Sequence, residues 1–166
     1  MTDILQALLT IISLAISFAA YFLIVGVFFS TRIAKTQRVI SQTPRRAFGV
    51  GFINLLFFGA IALVLLMLTN GDNRVDNWVR IILFFPTLAV LALIGIVLTF
   101  GFAGISNVIG ERIFADEKPV KRNMLGVVVL CVACALPFAG WFLLLPYLAF
   151  TGFGAVILGF FQRDTP

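Results

Sequence analysis

Residues 81–105 read IILFFPTLAVLALIGIVLTFGFAGI, without a single ionisable side chain. As an α-helix this run rises about 38 Å at 1.5 Å per residue, more than the ~30 Å hydrocarbon core of a bilayer. Hydrocarbon offers backbone N–H and C=O groups no partner, so a run of this kind satisfies itself as a helix. It also ends abruptly. Ser106 and Asn107 open a segment holding Glu111, Arg112, Asp116, Glu117, Lys118, Lys121 and Arg122.

Three further stretches share this character: Ile4–Ser30, Ala47–Leu68 and Asn123–Phe161. Hydrophobic residues make up 61% of the chain and charged ones 11%, against about a quarter charged in soluble domains. The mean hydropathy is +1.13. So little polar surface cannot screen that much apolar surface, and lipid is the expected solvent. The Met1-Thr2-Asp3-Ile4 start has no basic region, and the apolar run behind it is longer than a signal peptide's core, so positions 4–30 read as a true span.

The fourth stretch is the ambiguous one. Its 39 residues would rise about 58 Å as one helix, and Pro137-Phe138-Ala139-Gly140-Trp141 interrupts it. Proline removes a helix hydrogen bond and glycine loosens the backbone, so a break is expected there. Either Leu125–Leu136 and Trp141–Phe161 form a hairpin, or one kinked span precedes a re-entrant or interfacial tail. The fold class is therefore all-α, a polytopic transmembrane helical bundle of four to five spans in a single membrane domain, 1–166.

Charge gives the orientation. Loop 31–46 holds Arg32, Lys35, Arg38, Arg45 and Arg46 with no acid; loop 69–80 holds Arg74 and Arg80, balanced by Asp72 and Asp76; loop 106–122 holds four basic residues. Counting Lys and Arg puts loops 31–46 and 106–122 in the cytoplasm and the N-terminus outside, in a bacterial-type inner membrane. With five spans Arg163 and Pro166 fall inside as well. Loop 31–46 is expected to lie on the membrane as an amphipathic helix, Ile33, Val39 and Ile40 facing lipid and the cations facing phosphates. Together with Lys121 and Arg122, these five cations are the candidate contacts for anionic headgroups or an acidic partner protein.

The two basic loops enter their next helices alike. Pro44-Arg45-Arg46 with Gly51 aligns with Pro119-Val120-Lys121 and Gly126 at an offset of 75. This suggests a parallel two-span repeat, residues 1–75 and 76–150 with an apolar extension 151–161. Proline would start each helix, the basic pair would hold it at the headgroups, and glycine would let helices approach. Ser13 and Ser17 on the first run, Asn54 on the second, and Gly51 and Gly126 are the expected packing positions. Gly110 is a candidate C-cap for the third span.

Chemistry-bearing patterns are few. The sequence has no His, which removes the commonest metal ligand and the usual base near neutral pH. No catalytic constellation, metal site or cofactor is expected, and no nucleic-acid partner. Cys131-Val132-Ala133-Cys134 puts two sulfurs on one helix face, as in membrane enzymes passing electrons between thiols and quinones. The second cysteine pair of those enzymes is missing here. A small transporter or channel for an apolar or neutral solute is the other alternative to a non-enzymatic accessory, scaffold or anchoring subunit.

The punctuation of the C-terminal half has a parallel. Gly110-Glu111-Arg112 closes a span, a charged loop leads to Leu125-Gly126-Val127, and Leu136-Pro137, Gly140-Trp141 and Gly152-Phe153-Gly154-Ala155 come after it. This resembles the membrane segment attached to bacterial polymer-forming, bactofilin-like proteins and their uncharacterised relatives. The resemblance covers roughly residues 95–161, with a weaker echo at 31–68. That family's soluble β-helical polymer domain has no counterpart in these residues. The resemblance thus implies a membrane anchor or scaffold and carries over no catalytic residue.

Overall fold

The computed structural model describes residues 2–70, 77–136 and 138–161. Asp72, Arg74, Asp76, Pro137, Arg163 and Pro166 lie outside the described residues. Every described element is helical: α1 Thr2–Phe28, α2 Ser30–Gln42, α3 Pro44–Asn70, α4 Asn77–Ile113, α5 Pro119–Ala135, a π-helical segment Ala139–Leu144, and α6 Leu145–Phe161.

Among the described residues three helices are long and apolar enough to cross a membrane: Pro44–Thr69, Trp78–Ile113 and Ala139–Phe161. A fourth is reached only if α1 and α2, bent by 104° between Ile16–Gly26 and Ser30–Gln42, count as one broken span. The bend falls at Phe29, whose carbonyl accepts from both Arg32 and Ile33 at 3.0 Å while its N–H donates to Val25. Its ring stacks edge-on against Phe100 of α4 at 5.1 Å. Backbone bonding thus carries through the bend, and an aromatic contact fixes its place against α4.

The bend changes what α2 does. From sequence its apolar face is expected to meet lipid. In the fold that face is inside the protein: Ile33, Thr36, Val39 and Ile40 are buried, and α2 packs against α4 and α6. The correction has a simple cause. An amphipathic stripe records that one face avoids water, not whether lipid or protein covers it.

α6 is the centre. Thr151, Gly152, Phe153, Gly154 and Ala155 are buried in succession, so both faces of the helix are covered. One neighbour is α3: a Cβ placed on Gly51 would collide with the Phe150 carbonyl, and one on Gly154 with the Ala47 carbonyl. The other is α4, where a Cβ on Gly101 would stand 2.6 Å from the Gly152 carbonyl carbon. Helix backbones touch directly here, as small residues allow in membranes. Phe48, Phe52 and Phe150 then close the α3–α6 seam with ring contacts between 5.1 and 6.2 Å.

α4 and α5 form a hairpin by the same device. Gly126 packs on the Ser106 carbonyl and Gly110 on the backbone of Arg122. Gly110 therefore does not cap α4. The helix runs through it to Ile113, with the Phe114 N–H bonded to the Gly110 carbonyl at 2.9 Å. Glycine was needed here for contact rather than for termination. α5 ends at Ala135 and helical backbone resumes at Ala139. Between them Phe138 takes φ 65°, a conformation uncommon for a bulky residue. Gly140 then tucks against the Ala133 and Cys134 carbonyls.

The proposed repeat meets a mixed picture. α3 and α5 both begin at proline, Pro44 and Pro119. Their glycines contact different partners, however, Gly51 meeting α6 and Gly126 meeting the preceding helix α4. The chain also breaks at Phe29, whereas α4 continues unbroken across the aligned position.

Backbone contact makes a sharp prediction. Gly154→Val should lower the unfolding midpoint in detergent, at a cost on the order of 2 kcal/mol or more. Gly95→Ala, where an added Cβ meets nothing within 4 Å, should be neutral or slightly stabilising. Thermal melts followed by size-exclusion chromatography distinguish the two, and equal losses would contradict the packing.

Candidate functional site: the basic end of the bundle

Helix ends converge where α2 packs: the start of α3, the ends of α4 and α6, and the start of α5. At the crossing Thr36 is buried. Its methyl would lie 2.8 Å from a Cβ on Gly104, and its backbone N 3.7 Å from one on Gly159. Burying one face of α2 dictates where its charges go. Arg32 and Arg38 are exposed and Lys35 is half-buried. The Arg32 guanidinium lies 4.6 Å from the centroid of the Phe160 ring, a cation–π contact worth about 0.5–1 kcal/mol when exposed.

Arg45 and Arg46 sit in the first turn of α3, both exposed, and that turn carries no acid. Two cations at the positive end of a helix dipole repel it. Their natural counter-charge is an anion in front of the helix. The second basic pair is differently placed. Lys121 Nζ bonds Glu117 at 2.7 Å, and Arg122 Nη2 bonds Glu111 at 3.1 Å. Acids of the same loop thus engage Lys121 and Arg122, whereas loop 31–46 has none to offer.

The other sequence candidates are scattered. Ser13 and Ser17 are exposed on α1, the Ser17 hydroxyl donating to the Ser13 carbonyl at 2.9 Å. With Gln6, Leu9 and Thr10 they line a shallow groove. Asn54, expected to bond across a helix interface, donates instead to Val50 of its own helix at 2.8 Å. α1 packs mainly on α5 and α4, and α3 mainly on α6 and α4, so the serines and Asn54 do not share a site. Cys131 and Cys134 are free and half-buried. Cys131 packs with the cluster of Phe22, Ile33, Ala103 and Val127, and Cys134 with that of Leu130 and Leu148. Among the described residues no group of three or more His, Cys, Asp or Glu could hold a metal.

One feature was missed from sequence. Where α1 and α2 meet the α4–α5 hairpin lies a cavity of about 130 Å³, lined by Phe22, Gly26, Ile33, Ser106, Asn107 and Asn123 among others. Ser106-Asn107 and Asn123 flank the charged loop in sequence, and the hairpin brings them together. Their position at the two edges of the loop was the available signal. At the opposite helix ends stand Trp78, in the first turn of α4, and Trp141, after α5, 77% and 68% exposed. No protein family, curated protein or solved structure matches the chain.

The two basic pairs should respond unequally. Lys121→Ala removes an exposed i,i+4 ion pair and should change stability by less than about 0.5 kcal/mol. Arg122→Ala strips a side chain only 24% exposed from the α4–α5 contact and should cost about 1–2 kcal/mol. Parallel detergent melts of the two variants decide this, and an equal response would mean Arg122 packs no more tightly than Lys121.

Proposed function

We propose that this chain is a non-enzymatic anchoring or scaffold subunit of a bacterial-type inner membrane. It crosses that membrane five times, with its N-terminus outside and loops 31–46 and 106–122 in the cytoplasm. The carrying observation is the burial of α2 between α4 and α6, which leaves its Arg32 and Arg38 exposed beside the exposed Arg45 and Arg46 at the start of α3. Such an end binds anionic headgroups, and the acidic surface of a partner protein competes for the same cations.

Two contacts support the hairpin that five spans require. Gly126 on Ser106 sets the start of α5 beside the end of α4, and Phe160 under Arg32 sets the end of α6 beside the start of α2. α5 therefore departs from the basic end and α6 returns to it. Trp78 and Trp141 at the far ends fit the opposite headgroup belt. The flanks suit a subunit that packs on lipid or on neighbouring spans: Leu56, Phe57, Leu63 and Met67 of α3 are exposed, as are Ile82 and Phe85 of α4. The resemblance to the membrane segment of bactofilin-like proteins points the same way, toward holding rather than converting.

Each Lys or Arg near an anionic surface contributes about 1 kcal/mol. Arg45→Glu with Arg46→Glu should therefore reduce the anionic phospholipid co-purifying with the chain by at least about tenfold. The same variant should release any protein bound at that end. Nanodisc purification from the native membrane followed by mass spectrometry of lipids and proteins reads both. Wild type recovered with no stoichiometric protein, and a variant with unchanged lipids, would sink the reading and bring transport forward.

A further inference from the structure

We propose that the cavity between α1, α2 and the α4–α5 hairpin binds one membrane phospholipid by its glycerol–ester region, through uncharged hydrogen-bonding groups rather than through the arginines. This rests on the membrane placement proposed above, but not on the basic face. The cavity of about 130 Å³ has room for about four water molecules. That is enough for the ester and glycerol portion of a lipid and too little for a whole one.

Its chemistry is divided. Phe22 and Ile33 supply apolar walls, and Ser106, Asn107 and Asn123 supply polar ones. The Ser106 hydroxyl donates to the Ala103 carbonyl at 2.8 Å, which leaves its oxygen free to accept. Asn107 and Asn123 are among the residues lining the cavity, and each side-chain amide brings two N–H donors and one acceptor. Among the described residues no charged side chain lines it. A phosphate would meet no cation there, whereas ester carbonyls match amide donors and glycerol hydroxyls match the acceptors.

Depth agrees with chemistry. Ser106 is the first residue past the apolar run 81–105, and Asn123 opens the last one. The cavity thus lies where hydrocarbon yields to headgroups, the level of a phospholipid's ester groups. The wall on α1 is lowered by Gly26, where an added Cβ meets nothing within 4 Å. A larger residue at that position, which is among those lining the cavity, is expected to narrow it without a clash at its Cβ.

The test compares wild type, Gly26→Leu and the Asn107→Leu/Asn123→Leu double variant, purified in one detergent and checked for monodispersity. Native mass spectrometry counts retained phospholipids, and thermal melts are repeated with added phosphatidylcholine or with glycerol alone. Wild type should keep one more phospholipid per chain than either variant. Phosphatidylcholine should raise its unfolding midpoint by a few degrees, with no response to glycerol and little response from the variants. Equal lipid counts and equal shifts in all three proteins would overturn the proposal, as would a shift produced by glycerol alone. If these fail while Arg45→Glu/Arg46→Glu still depletes anionic lipid, the basic-face reading survives and only this inference falls.

Discussion

Everything in this bundle depends on helix backbones touching where glycines face one another. In lipid, apolar side chains gain little by leaving hydrocarbon for a helix interface, so association rests on close packing and on hydrogen bonding. The Gly51–Gly154 and Gly101–Gly152 contacts meet that requirement at the centre, clamping α6 between α3 and α4. Gly110 and Gly126 meet it at the hairpin. These contacts bring together the helix ends at which the cations stand. Glycine in a helix interior costs about 1 kcal/mol relative to alanine, and the close approach offsets that cost only where the opposing residue is small or presents bare backbone.

The position of α2 is a consequence of this clamp. With α4 and α6 held close, Gly104 and Gly159 leave a shallow seat that Thr36 occupies, flanked by Ile33, Val39 and Ile40. The amphipathic helix is thereby built into the protein, its apolar face on α4 and α6. Its charges become a fixed surface, not a loop that samples many positions. Fixing them would limit the side-chain and backbone entropy lost in the headgroup or partner binding proposed above. Arg45 and Arg46 strengthen the demand for an external anion, because the start of α3 is already positive.

Much of this was legible in the residues. The apolar runs gave the helices, Pro44 and Pro119 marked two of their starts, and the break after Ala135 fell where proline and glycine cluster. What failed was partner assignment. Ile33, Val39 and Ile40 announce an apolar face but carry nothing that separates lipid from α4 and α6. Gly110 has the composition of a cap, yet a helix that continues through it uses the missing side chain for contact with Arg122. Asn54 has the donors for a bond across an interface and spends one on Val50 of its own turn. Pairings of this kind depend on residues far apart in sequence, which local pattern does not record. The cations could be read from sequence, though not their gathering at one packed end, and the cavity was not legible at all.

α1 packs mainly on α5 and α4. Its later turns reach the bundle through Phe22, and Tyr21 shares a 3.3 Å hydroxyl contact with Thr99. Leu5, Leu9, Ile16 and Phe18 of its earlier turns are exposed. Phe22 near the bend thus borders the space beside Gly26. An amphiphile seated there would extend the interface between α1 and the α4–α5 hairpin without adding a residue. The same seat would brace Ile33 at the start of α2, and a lipid on one side of the bend would then be joined mechanically to the cations beyond it. On the two proposals, attachment of α1 and the orientation of the basic face would respond to the same local packing, with one ligand recognised by neutral groups and the other by charge.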